Sequence, residues 1–236
     1  MRIAGREFRF RPVLTLCVAL AMGALVALGT WQLHRLDWKR DLISQVEARV
    51  NAPPIPFEAA ARRADAGEAM EYAPVRLDGR LSPDRHARVF GTWDGAVGAF
   101  EFVPLETGDG ATVYVNLGFT PQERLDDIET SPGVAEITGL FRTAEKPAPP
   151  ASWFQTRGKS VDGLWFIRDP AAFAGEAGIE APPYYIDQAA VEGREWPKGG
   201  TTRLEFSNRH LEYALTWFAL AATLAGVWLA FSLHRP

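Results

Sequence analysis

His210 precedes Tyr213 by three residues and Trp217 by seven, at the polar start of an apolar stretch. Positions i, i+3 and i+7 share one face of a helix, so the three side chains line a single wall where apolar chain meets water. An ionisable group at such a depth is costly and marks a functional position, and neutral imidazole is the commonest protein ligand for haem iron. The wall therefore suits a flat aromatic ligand, with His210 on its metal. The same residues also fit a plain interfacial role, His210 capping the helix or facing headgroups and Tyr213 and Trp217 serving as an aromatic belt. Near the other end of the chain, Trp31, Arg35 and Trp38 fall at i, i+4 and i+7, with Gln32 one residue along. A guanidinium pairs bidentately with carboxylates, which places Arg35, between two indoles, to receive an acidic side group of such a ligand. Belt tryptophans and a snorkelling arginine are the alternative here too.

Two elements have to position these residues. Val13–Leu33 and Tyr213–Leu233 each contain 21 residues without a formal charge, about 30 Å of helix and the thickness of a hydrocarbon core. They predict transmembrane helices over 13–33 and 210–233. The first also fits a secretory signal peptide, with Arg2, Arg6, Arg9 and Arg11 as its basic region and Ala27-Leu28-Gly29 as small residues for cleavage. Its apolar run through Trp31 to Leu33 is longer than most such segments. The basic residues before the first span, and only Arg235 with His234 after the second, predict a cytoplasmic N-terminus (1–12) and tail (234–236). The middle of the chain then lies on the periplasmic side of a bacterial inner membrane, since about a dozen residues before the first span leave no room for an organelle transit peptide.

Composition excludes several functions. Residues 36–209 carry 19 Lys+Arg against 27 Asp+Glu, a surface that repels phosphate backbones and excludes nucleic acid as a partner. Cys17, inside the first span, is the single cysteine, so the chain has no internal disulfide, Cys-x-x-Cys pair, thiolate zinc site or covalent haem attachment. His34, His86 and His234 are scattered, which argues against clustered copper or zinc. No nucleophile elbow, His-Glu-x-x-His pair, Walker loop or dinucleotide glycine motif is present. Asp126, Asp127 and Glu129 read as a solvated turn, and His86, between Arg85 and Arg88, as a strand-edge residue. No catalytic residue and no enzyme activity are expected.

Leu36, Ile43, Val46 and Val50 keep a helical spacing, which predicts a stalk over 34–54 that ends at Asn51-Ala52-Pro53-Pro54. A short helix is expected over Phe57–Met70, stopping near Gly67. From Tyr72 onward, runs rich in Val, Phe, Tyr and Trp predict strands at 73–81, 86–92, 99–105, 112–119, 134–142, 163–168 and 184–187. Asp94-Gly95 and Asp109-Gly110 are hairpin turns, Asp169-Pro170 starts a helix, Lys146–Pro150 is a stiff loop, and Gly199-Gly200 a flexible entry to a last strand and the second span. The fold class is an α+β membrane protein: two transmembrane helices flanking an outward-facing antiparallel β-rich domain, residues 55–209, a partial barrel with one or two short helices.

Several segments together resemble the surfeit-locus-1 family of membrane factors for assembly of haem–copper cytochrome oxidases. Gly29-Thr30-Trp31-Gln32-Leu33-His34-Arg35-Leu36-Asp37-Trp38-Lys39 is similar to the family's signature at the end of its first membrane helix. Asn208-Arg209-His210-Leu211-Glu212-Tyr213-Ala214-Leu215-Thr216-Trp217-Phe218 is similar to the one that opens its second, and Tyr72–Gly79 and Val115–Pro121 resemble core strands. Where the family usually has arginine, glycine and tryptophan, this chain has Leu117, Gly118 and Phe119. The resemblance implies an assembly factor for cytochrome c oxidase that binds haem a and aids its insertion into the large subunit. In that picture His210 is the axial ligand to the haem iron, with Trp31, Gln32, Arg35, Tyr213 and Trp217 around it. The implied partners are the large subunit, a haem a synthase and membrane lipid. A chaperone that carries no cofactor and stabilises oxidase subunits is the alternative.

Overall fold

A computed structural model describes residues 2–3, 6–8, 10–126, 132–146, 163–204 and 207–234. In chain order its elements are β1 (Arg2–Ile3), β2 (Arg6–Phe8), α1 (Pro12–Val50), β3 (Ile55–Pro56), α2 (Phe57–Asp65), β4 (Pro74–Leu81), β5 (Ala87–Trp93), β6 (Ala96–Thr107), β7 (Thr112–Pro121), β8 (Gly133–Thr143), β9 (Leu164–Trp165), α3 (Pro170–Ala177), β10 (Tyr184–Gln188), α4 (His210–Ser232) and β11 (Leu233–His234). Residues 1–45 with 205–236 form one unit and residues 46–204 a second. Asp127, Glu129 and residues 147–150 of the expected loop lie outside the described residues.

The uncharged run at the N-terminus passes into the charged stalk sequence without a helix breaker, and α1 is accordingly one helix of 39 residues. In the first unit α1 and α4 run antiparallel. The indole Nε1 of Trp228 donates to Thr15 Oγ1 at 3.3 Å near one end of the pairing, and His210 Nδ1 lies 2.7 Å from Gln32 Oε1 at the other. The buried and half-buried positions of α1, Thr15, Val18, Met22, Leu25, Gly29 and Gln32, alternate in steps of three and four, the spacing that keeps a seam facing a partner helix. On α4 the matching seam is Ala214, Trp217, Ala221, Leu224 and Trp228. At Gly29 the ring of Phe218 occupies the space a Cβ would need. Leu16, Leu20, Val26, Leu215, Leu220 and Val227 are exposed, unlike the core helix of a soluble protein. Both helices are long and apolar enough to cross a membrane. Strand β2 pairs with β11, Phe8 opposite Leu233, so the two chain ends meet.

The second unit is a β-barrel. Its strand order is β3-β4-β8-β10-β7-β6-β5-β9, and a further pairing of Gly79–Leu81 with Leu105–Thr107 joins β4 to β6. Strands β4, β8, β10, β7 and β6 therefore close on themselves, a fuller barrel than the expected partial one. The sheet is mixed rather than antiparallel: β10 runs parallel to β7, β3 to β4 and β9 to β5. The long connection carrying α3 brings β10 in between β8 and β7, so no hairpin fixes its direction.

Period-two alternation splits the core in two. Val75, Leu77, Val103, Leu105, Val113, Val115, Ile137, Phe141 and Ile186 fill the barrel interior together with Phe57 and Ala60 of α2. Phe100, Phe102, Tyr114, Phe119 and Tyr185 face outward beneath Val89, Trp165 and Phe173. Strands β6, β7 and β10 are thus buried on both faces, as their continuous apolar runs require. At Gly118 the backbone takes φ +128 and a Cβ would run into the Lys198 carbonyl. Leu117 points into the apolar interior, where the family's arginine would need a partner for its charge.

Three local expectations are corrected. Helix α2 stops at Asp65, because Gly67 turns the chain at φ +87 and Arg63 pairs with Glu68 beyond it. The strand over 163–168 shortens to Leu164–Trp165. Gly199-Gly200 is not a flexible entry to a strand: Gly199 packs on the Ala189 carbonyl, Gly200 donates to Gln188 O at 2.8 Å, and residues 201–204 have no regular structure. Asp94 and Gly95, both at positive φ, make the expected tight hairpin turn, and Asp169 caps α3 by accepting from Ala172 N at 3.3 Å.

Candidate haem-holding site at the paired helix ends

His210 is the first residue of α4, and its half-buried ring meets Gln32 of α1 across 178 residues of sequence. A side-chain amide oxygen only accepts, so Nδ1 carries the proton in this contact and Nε2 keeps its lone pair. Among the described residues Nε2 has no hydrogen-bond partner. Just before the helix, Arg209 donates from Nε and one terminal nitrogen to Glu212 Oε2 at 2.9 and 2.8 Å, an exposed ion pair at i, i+3.

The remaining expected residues divide between seam and surface. Trp217 is half-buried on the α4 seam two turns beyond His210, whereas Tyr213 and Trp31 are 51% and 55% exposed. Arg35 is exposed and lies over Trp38, its guanidinium carbon 3.7 Å from the ring centroid. At 100° per residue, Arg35 sits about 90° round from the α1 seam and Tyr213 about 60° round from the α4 seam. Because the helices are antiparallel, these rotations carry both side chains to the same side of the pair, flanking the His210–Gln32 contact. Of the expected set, then, the structure joins His210 to Gln32 and stacks Arg35 on Trp38, and leaves Trp31 and Tyr213 facing outward. The cross-chain pairing has no local sequence signal, although Arg35 and Trp38 at i, i+3 do advertise their stack.

The titratable groups of the barrel do not compete as a site. Asp187, 4% exposed, accepts from Asn116 Nδ2 at 2.7 Å, an Arg142 terminal nitrogen at 2.8 Å and Thr202 Oγ1 at 2.7 Å. Glu71 accepts from Arg142 Nε at 2.7 Å and from Thr143 N and Oγ1 at 2.7 and 2.8 Å. Burial by itself would lower the pKa of Arg142, but Tyr185, Asp187 and Glu71 outweigh it and hold the guanidinium above its ordinary value. Every oxygen of both carboxylates is engaged, so neither is poised to move a proton. Burial likewise raises the Glu101 carboxyl against the pull of Arg88, 2.9 Å away. His86 Nδ1 lies 2.8 Å from Pro83 O at the end of a turn, and Asp126 is exposed after another. Among the described residues no group of three or more His, Cys, Asp or Glu is placed to hold a metal ion.

The model of the SURF1 family matches residues 19–222. The chain is 32% identical over 225 residues to Surfeit locus protein 1 of Rattus norvegicus, covering 85% of this chain and 70% of that protein. The same identity and length hold for the Homo sapiens protein, with 85% and 71% covered. A SURF1-like protein of Drosophila melanogaster is 27% identical over 229 residues, 85% of this chain and 71% of that one. The matched region contains Gln32 and His210 and everything between them, and this chain belongs to the SURF1 family.

Proposed function

We propose that this protein is a two-span, non-enzymatic factor for cytochrome c oxidase assembly that holds haem a at the membrane boundary and hands it to the large subunit. Family membership supports the assembly role. The observation that carries the haem reading is the His210–Gln32 contact, which joins the ends of two apolar helices around an imidazole whose Nε2 is left for a ligand. The donor set fits haem: one neutral imidazole, aromatic side chains on both helices and an exposed guanidinium, with no cluster among the described residues that favours a bare metal ion. His210 Nε2 would hold the iron of a bound haem, which would itself supply the redox centre to be delivered.

The chain's own residues do the rest. Gln32 fixes the ring, Arg35 on its Trp38 platform meets a propionate, and Trp31, Tyr213 and Trp217 supply apolar and stacking surface. A carrier has to release its cargo, and a single axial histidine suits that better than two. The reading places the protein in a bacterial inner membrane with the barrel in the periplasm, and its partners are the oxidase large subunit, a haem a synthase and lipid. The test is to co-express the chain with haem a synthesis and compare spectra of purified wild type and His210→Ala. Haem in the wild type and its loss in the variant is the expected result. Equal haem in both removes His210 as ligand, and a colourless wild type that still co-purifies with oxidase subunits supports the cofactor-free chaperone instead.

A further inference from the structure

We infer that Gln32 is a positioning residue that selects the His210 tautomer and, being uncharged, keeps the axial ligand weak enough to let the haem go. The inference rests on the haem-holding reading above. A histidine that binds a metal through one ring nitrogen is oriented by what its other nitrogen donates to, and a carboxylate in that place raises the basicity of the ligand. Here the acceptor is an amide oxygen 2.7 Å from Nδ1. The neighbouring charges do not substitute for a carboxylate: Glu212 is bound by Arg209, and Arg35 is a cation lying over Trp38. The ring therefore meets a neutral acceptor, which fixes the proton on Nδ1 without pushing electron density toward Nε2.

The contact also crosses between helices. Gln32 and His210 belong to opposite sides of the α1–α4 seam, so the tautomer is right only while the helix ends are together. In solution a neutral histidine side chain prefers the proton on Nε2, the form that offers iron the wrong nitrogen. Parting the helix ends would return His210 to that form, which couples ligand competence to helix pairing.

The experiment uses the full-length chain in phosphatidylcholine nanodiscs, with ¹⁵N-labelled histidine recorded above the imidazole titration range. The His210 resonances are assigned by their loss in His210→Ala. Wild type is expected to carry the proton on Nδ1, Gln32→Ala to revert to Nε2–H, and the near-isosteric Gln32→Glu to keep Nδ1–H. On adding haem a, Gln32→Ala is expected to bind about 10- to 100-fold more weakly. Gln32→Glu is expected to bind more tightly than wild type and to release more slowly to an excess of haem-scavenging apoprotein. An Nε2–H wild type, or a Gln32→Ala protein with unchanged tautomer and unchanged affinity, overturns the assignment while leaving His210 as ligand. A Gln32→Glu protein that binds no more tightly than wild type overturns the weak-ligand argument. Haem bound by none of the proteins overturns the haem reading itself, and the assignment with it.

Discussion

Gly29→Ala tests the helix pairing on which the site depends, because packing and intrinsic propensity predict opposite signs. In an isolated helix the change is stabilising by about 1 kcal/mol. In this seam a Cβ at Gly29 would sit 2.6, 2.7 and 3.0 Å from three ring carbons of Phe218, whereas carbon atoms rest about 3.5–4.0 Å apart. About 1 Å has to be found, by parting the helices or by driving the Phe218 ring off the seam. Overpacking of this kind costs about 1–3 kcal/mol. The same displacement one turn further on takes the His210–Gln32 contact from 2.7 Å to beyond the hydrogen-bonding limit of about 3.5 Å.

Gly23→Ala is the matched control, since nothing lies within 4 Å of a Cβ there. Unfolding by added SDS in bicelles, followed by energy transfer between labels near the two chain ends, is expected to rank Gly29→Ala below wild type and Gly23→Ala level with or above it. Adding Phe218→Ala to Gly29→Ala is expected to recover part of the loss as a favourable coupling energy in a double-mutant cycle. The reasoning is refuted if Gly29→Ala proves as stable as Gly23→Ala, or if the two seam changes simply add.

Two further expectations concern the barrel. Arg142→Ala strands the buried Asp187 carboxylate and deprives Glu71 of its cation, and should cost about 3–5 kcal/mol in urea unfolding. Arg142→Lys should recover only part, because one ammonium cannot reproduce the fork that reaches both acids, and a loss under about 1 kcal/mol for the alanine variant would show the network to be dispensable. Burial pushes the Tyr114 phenol up to about 12 from an ordinary value of 10. The folded-state value is the higher one, so its share of stability is intact below pH 10 and is lost as the pH rises through about 12. Tyr114→Phe should flatten the decline in urea midpoint over that window, and parallel wild-type and variant curves would contradict the assignment.

Much of this architecture is legible in local patterns. Twenty-one uncharged residues make a membrane-length helix by themselves, Asp94-Gly95 dictates a tight hairpin turn, and Asp169-Pro170 starts a helix by cap and fixed φ. Strand existence follows from alternation, but closure does not. The pairing of Gly79–Leu81 with Leu105–Thr107, and the insertion of β10 beside β7, are set by which buried faces fit together. Gly199-Gly200 misleads because glycine serves two purposes: its tolerance of turns resembles flexibility in a sequence, while its missing Cβ here admits the backbone of Ala189. At the site, the helical faces carrying His210 and Arg35 can be read from spacing. Gln32 as the partner of His210 cannot, since the two are 178 residues apart and only the packed seam brings them into register.

That seam accounts for the economy of polar contacts between the helices. In the bilayer these helices are proposed to cross, burying apolar surface between them gains little, because lipid tails are as apolar as leucine; close packing and a few hydrogen bonds have to hold the pair. Gly29 and Ala221 provide the close approach, and Trp228–Thr15 and His210–Gln32 stand as polar clasps at opposite ends. If His210 is the ligand proposed above, a clasp made from it would tie two events together. In the proposed reading the His210 ring would gain a second tether through Nε2 and hold the helix ends together, and separation of the ends would free the ring from Gln32, which sets its orientation and tautomer. On that proposal, an encounter that pries α1 from α4 would release the cargo without any competing ligand, a property that would suit a delivery protein better than a cytochrome.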